Sequence, residues 1–148
     1  MQIHDNDYSV STDKSKLDLP LIHTFLSTQA YWSLNIPFAT VKRSVENSLC
    51  FGVYQGDTQV GFARIITDFA TIAYLGDVFI LPEHRGKGLS RRLIATVMAH
   101  PDLQGLRRWM LLTSDAHGLY LQYGWKPIVN SDRYMEIAHP DIYKTSTI

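Results

Sequence analysis

Gly76-Asp77-Val78-Phe79-Ile80-Leu81-Pro82-Glu83-His84-Arg85-Gly86-Lys87-Gly88-Leu89-Ser90-Arg91-Arg92-Leu93 is the stretch on which the fold of this 148-residue chain turns. It leaves an apolar strand, Ile72 to Leu81, which Pro82 closes, and enters a helix predicted over Ser90 to Ala99. That helix turns Leu89, Leu93, Val97 and Met98 inward and is stopped by Pro101. Between strand and helix, Gly86 and Gly88 let the backbone turn tightly and present successive N–H groups. The helix start adds unsatisfied donors and the positive end of the macrodipole. Arg85, Lys87, Arg91 and Arg92 crowd the same place. Cations there oppose the macrodipole, each costing about 0.3–1 kcal/mol. Their presence makes sense if a multivalent anion completes the site. The alternative is a solvated basic face beside a glycine turn. The spacing is neither that of a nucleotide-triphosphate P-loop nor that of a Rossmann dinucleotide turn.

Upstream, Leu49 to Tyr54 reads as a strand, Gln55 to Thr58 as a turn, and Gln59 to Thr67 as the returning strand of a hairpin. Helices are expected over Pro20 to Ala30 and from Val41 to about Ser48, with a loop over Trp32 to Ala39. A short strand is expected around Tyr8-Ser9-Val10. Downstream, Trp109 to Leu112 suits a strand buried on both faces. Asp115 to Tyr123 carries Ala116, Leu119, Tyr120 and Tyr123 on one helical face, with Gly124 as its stop. Trp125 to Val129 and Arg133 to Ala138 read as a final pair of strands. The order predicts an α/β (α+β) domain spanning 1–148, a mixed sheet with helices on both faces.

Composition narrows the function. Fourteen basic and fourteen acidic residues cancel, so nothing points to a nucleic acid or a membrane surface. Cys50 is the only cysteine, which leaves no intramolecular disulfide and no Cys-rich metal site. It reads as a small buried hydrophobe rather than a nucleophile. No His/Cys/Asp cluster has metal-ligand spacing, so no metal is expected. Met1 to Asp7 lacks the basic and apolar regions of a signal peptide, and the most apolar stretch is too short to span a bilayer. A cytoplasmic protein, monomer or homodimer, is the expectation.

The quoted stretch resembles the central motif of the GCN5-related N-acetyltransferase (GNAT) superfamily, Arg/Gln-x-x-Gly-x-Gly/Ala after an apolar strand. Here it reads Arg85-x-x-Gly88-x-Ser90, with serine in the last small position. Leu119-Tyr120-Leu121-Gln122-Tyr123-Gly124-Trp125 is similar to the family's Leu-Tyr-x-x-x-Gly-Phe segment, and the resemblance covers about residues 49–138. It implies a mostly antiparallel mixed sheet of six to seven strands. It also implies acetyl-CoA as co-substrate, its pyrophosphate on Arg85, Gly86, Lys87, Gly88, Leu89 and Ser90. Its pantetheine arm would lie between Ile72–Leu81 and Trp109–Thr113, against backbone groups of Val78, Phe79 and Ile80. Tyr120 stands where the family places the general acid that protonates the leaving thiolate. Asp77 is the candidate to bind or deprotonate the acceptor amine, or else a hydrogen-bonded strand residue. His84, His117 and an ordered water are the other candidates for the base. Thr113 occupies the place of an asparagine that touches the CoA arm in many members, and a hydroxyl replaces only one of that amide's hydrogen bonds. Tyr31, Trp32 and Phe38 are candidates to wall the acceptor pocket. The acceptor implied is a primary amine of a small molecule. Another acyl-CoA, a protein amine, or a non-catalytic CoA-binding role are the alternatives.

Overall fold

Five strands form one sheet in the order of the chain. They are β1 (Tyr8–Ser11), β2 (Leu49–Gln55), β3 (Thr58–Thr67), β4 (Ile72–Ile80) and β5 (Arg108–Leu111). The computed structural model describes residues 7–144; Met1 to Asn6, part of the stretch read for a signal peptide, lie outside them. Four α-helices accompany the sheet among the described residues: α1 (Leu19–Thr28), α2 (Phe38–Glu46), α3 (Leu89–Met98) and α4 (His117–Leu121). β1 to β4 pair antiparallel in sequence. β5 pairs parallel to β4, and α3 supplies the crossover that a parallel pair requires.

Period-two alternation divides the side chains between the two faces. Cys50, Phe62 and Phe79 pack with Ile22, Phe25 and Leu26 of α1 and with Val41 and Val45 of α2. Phe51, Val53, Ala63 and Ile65 pack with Leu89, Leu93, Ile94 and Val97 of α3. Phe25 stacks on Phe79 with ring centroids 4.0 Å apart, which seats α1 under the end of β4.

The sequence reading needs three corrections. The sheet has five strands, not six to seven. Trp125 to Val129 and Arg133 to Ala138 form no strand; Ser131–Arg133 is a 3-10 turn and the rest is irregular. Aromatic packing takes the place of a ladder there. Trp125 lies against the rings of Trp109 and Tyr120, and Tyr134 sits under the Arg108 guanidinium at 5.9 Å. Pro127 also lacks the N–H that pairing would use. In consequence β5 is an edge strand, partly exposed along its length rather than buried on both faces. Finally, α2 starts at Phe38, because the Pro37 carbonyl accepts the first helical bond, from Val41 at 3.1 Å.

Candidate active site

The pairing of β4 with β5 runs only from Ile72–Arg108 to Leu75–Leu111. Past Leu75 the pairing ends, as β5 does at Leu111, so the β5-facing backbone of Gly76 to Ile80 is not used by the sheet. On its other side β4 stays paired with β3, through Phe62–Phe79 and Gly61–Ile80. The β3–β4 register slips between Phe62 and Arg64, so Asp77 and Val78 together oppose Ala63. That is a β-bulge, and Asp77 carries its positive φ of 53°. Aspartate is among the few L-residues that tolerate this region.

The Asp77 carboxylate is held from both sides. Arg64 Nε donates to one oxygen at 2.8 Å, and the Trp32 indole N–H donates to the other at 2.9 Å. Arg64 also donates to Ser48 Oγ at 3.1 Å, and the Ser48 hydroxyl donates to the Ser44 carbonyl of α2. Beside Trp32, the Tyr31 hydroxyl meets Ser114 Oγ at 2.6 Å. The segment between α1 and α2 therefore touches β4 through Trp32 and the loop after β5 through Tyr31. It straps the two strands together beyond the point where their pairing ends. Phe38, the third expected wall residue, stacks edge-on with His23 instead.

At the other end of β4 lies the glycine loop. Gly86 and Gly88 have φ of 80° and 77°, and a side chain on Gly86 would meet nothing within 4 Å. Gly88 is the N-cap of α3, with no side-chain cap and no acidic residue in the first turn. By contrast, α1 is capped by Asp18, whose carboxylate accepts from Leu21 N at 3.0 Å. The Arg91 guanidinium lies 3.8 Å from where a Gly88 side chain would begin. Arg85 Nε donates to the Ile80 carbonyl at 2.8 Å, tying the loop back to the strand. Open donors, left-handed glycines and cations thus meet at one helix start, which fits a diphosphate.

Tyr120 lies near the end of α4, in the same buried cluster as Leu89 and Leu93 of α3. It is 8% exposed. Burial, with a smaller effect of the Asp115 carboxylate, pushes its hydroxyl up to about 12. It lines a cavity of about 770 Å³ that runs along β5 and includes Leu111, Thr113, His117 and Trp125. Trp125 Nε1 is buried there with no hydrogen-bond partner. Thr113 Oγ1 accepts from Ala116 N at 3.0 Å and so serves as a turn at the start of α4. Its proton remains available to a ligand. Tyr123 donates to the Arg91 carbonyl at 3.0 Å and joins α4 to α3. His117 is exposed, and His84 turns away from β5 to meet Tyr8.

The bulge, Arg64 and the Tyr31–Ser114 contact were not anticipated from the sequence. The one available signal was Gly76-Asp77, a pair tolerant of positive φ inside an otherwise apolar strand.

A family model described as an acetyltransferase (GNAT) domain matches residues 46–127. A Gibberella zeae protein, named provisionally as an acetyltransferase, is 38% identical over 77% of this chain and 76% of its own. A crystal structure of a GNAT-family protein from Xanthomonas campestris pv. campestris is 56% identical. It covers 93% of this chain and 97% of that one with a TM-score of 0.91. A Clostridium acetobutylicum protein, described as an acetyltransferase by prediction and solved with acetyl-CoA, shares the fold. It has 16% identity and a TM-score of 0.65, over 88% of this chain and 94% of its own.

Proposed function

The chain belongs to the GNAT acetyltransferase family, and on that premise we propose that it transfers an acetyl group from acetyl-CoA to a primary amine of a small molecule. The observation that carries this reading is the end of β4–β5 pairing at Leu75, with an uncapped cationic helix start following β4 and the buried Tyr120 following β5. The Clostridium acetobutylicum structure, which holds acetyl-CoA on the same fold, supports it.

Bound acetyl-CoA would supply an activated acyl carbon and a thiolate leaving group. The residues of this chain then divide the work. Arg85, Lys87 and Arg91, with the N–H groups of Gly86 to Ser90, bind the pyrophosphate. The β5-facing backbone groups between Val78 and Ile80, including Phe79, orient the pantetheine arm and donate to the acyl oxygen as charge develops on it. Tyr120 keeps its proton throughout the physiological range and offers it to the sulfur as the C–S bond breaks.

Asp77 anchors the incoming ammonium at the rim of its pair with Arg64. Proton abstraction by Asp77 would disturb both of its existing contacts, so water is the better acceptor of that proton. Tyr31 and Trp32 wall this side of the cleft.

A second reading, with a longer acyl group, is favoured by the 770 Å³ cavity beside Tyr120. One screen separates these readings: release of free CoA thiol from acetyl-CoA and from hexanoyl-CoA over a library of amines. Acetyl-CoA should also raise the melting temperature, since a ligand specific for the folded state adds about 2.7 kcal/mol at a hundredfold excess over Kd. Gly88→Asp, which puts a negative charge at the phosphates, should abolish that rise. Stabilisation without any turnover would make the chain a CoA-binding module. No stabilisation by millimolar acetyl-CoA would refute the proposal.

A further inference from the structure

Tyr8 opens β1, the strand at the far edge of the sheet from β5. Its ring is 3% exposed and belongs to the core on the α3 face. A phenylalanine would pack there equally well. What the hydroxyl adds is a connection to the glycine loop, more than seventy residues away in the chain. It lies 2.9 Å from His84 Nδ1 and 3.2 Å from Lys87 Nζ. The Lys87 ammonium also stands 5.7 Å from the centroid of the Tyr8 ring.

An ammonium only donates, so the Tyr8 oxygen accepts from Lys87. Toward His84 Nδ1 the hydroxyl donates its proton or accepts one, according to the imidazole tautomer, and in either case the contact fixes the orientation of the hydroxyl. The bond from Lys87 consumes one of its three ammonium protons and leaves two.

The backbone of the loop does not depend on this cluster. His84 N bonds to the Leu81 carbonyl at 2.9 Å, Arg85 N to the Pro82 carbonyl at 3.3 Å, and Arg85 Nε to the Ile80 carbonyl at 2.8 Å. What Tyr8 fixes is the tip of Lys87, an exposed side chain with four rotatable bonds. Unrestrained, such a side chain gives up much of its rotamer freedom when it binds an anion. Held beforehand beside the start of α3, it gives up less.

We propose that Tyr8 is a positioning residue for the diphosphate end of the acyl donor, acting through Lys87, with His84 orienting its hydroxyl. The proposal rests on the acetyl-CoA reading above and adds β1, a strand remote from the chemistry, to the donor site.

The test is calorimetric titration of acetyl-CoA into four proteins: wild type, Tyr8→Phe, Lys87→Met and the double variant. Tyr8→Phe should weaken binding by about three- to tenfold, the worth of one hydrogen bond, and raise the acetyl-CoA KM while leaving kcat at saturation unchanged. In the Lys87→Met background the same substitution should have no effect, because the residue through which it acts is gone. His84→Asn keeps a polar partner, able to donate or accept, near the position of Nδ1 and should bind as wild type; His84→Leu should match Tyr8→Phe. Unchanged binding by Tyr8→Phe overturns the proposal. So does an undiminished loss in the Lys87→Met background, which would mark a general effect on folding. Wild type that fails to bind acetyl-CoA overturns the donor reading and this inference together, whereas wild-type binding with an inert Tyr8→Phe overturns this inference alone.

Discussion

The antiparallel part of the sheet and its parallel end are built on opposite terms. Between β2 and β4, backbone pairing is continuous apart from local register shifts, and Phe51, Phe62 and Ile65 are 0% exposed. At β5 the pairing lasts only to Leu111, and the next residue, Leu112, is 79% exposed. Most of what holds the fold is concentrated in the first region, while the second leaves hydrogen-bonding groups and apolar surface uncommitted. Ligand chemistry needs uncommitted groups, and the proposed site stands where the ladder stops. The bulge at Asp77 marks the boundary, since it re-aims a carboxylate without interrupting the core residue Phe79 two positions on.

The largest effect that would break this division concerns Tyr120. Tyr120→Phe keeps the ring and its contacts with Trp125 but removes the proton, so kcat should fall by about 10²–10⁴-fold. Melting temperature and acetyl-CoA affinity should stay close to wild type. Steady-state kinetics with normal turnover would move Tyr120 into the same packing class as Phe62. The converse substitution is Phe62→Ala, which empties a fully buried site between β3 and α1 and should cost about 3–5 kcal/mol in urea unfolding. Leu111→Ala, in the half-exposed edge strand, should cost about 1 kcal/mol. Equal costs would erase the contrast between the two regions.

Alkaline pH should show which region yields first. Burial pushes the Cys50 thiol up to about 11 from its ordinary 9.0, and the Tyr54 and Tyr120 hydroxyls up to about 12 from 10.0. The folded protein binds these protons more tightly than the unfolded chain does. Their contribution to stability is therefore intact below about pH 9 and is lost as pH rises through 9 to 12. The urea midpoint should be flat from pH 7 to pH 8.5 and fall above it. If Tyr54→Phe lessens the fall and Tyr120→Phe does not, the antiparallel region is what gives way.

The smallest effect sharpens the boundary itself. Asp77→Asn tolerates the positive φ, but its amide nitrogen cannot accept, so the side chain keeps either Arg64 or Trp32 and not both. The acceptor KM should rise about tenfold with kcat nearly intact, the mark of a lost anchor. A fall in kcat with loss of the acidic limb of the pH profile would assign the base to Asp77 instead.

The sequence made the hairpin, the glycine loop and both flanking helices legible, because each depends on neighbours a few positions away. Gly86 and Gly88 announce their backbone geometry, and Tyr120 announces its helix face. What could not be read depends on partners far along the chain. The Arg64–Asp77 pair and the bulge follow from the β3–β4 register, which hydrophobic alternation does not encode to the residue. Tyr8 was legible as part of a strand, but the use of its hydroxyl was not. Arg133 to Ala138 is rich enough in apolar residues to read as a strand, but composition does not say that it pairs. Whether an edge is available to pair with it is decided elsewhere, and here aromatic contacts take its flanks. The apolar run at Trp109 misled for the same reason, since a buried strand and an edge strand backed by aromatic rings read alike.

Cys50 has a consequence for the bench. Its side chain is 1% exposed between the sheet and α2, and its thiol is held protonated well above assay pH. Reagents that count sulfhydryls react with the thiolate of an accessible cysteine. No other cysteine exists in the chain. In the native state the protein is therefore nearly invisible to such a reagent, and in the proposed reaction colour that develops during turnover would report released CoA. The same silence makes a slow rise in protein-derived colour, without substrate, a direct count of molecules whose α2 side has opened.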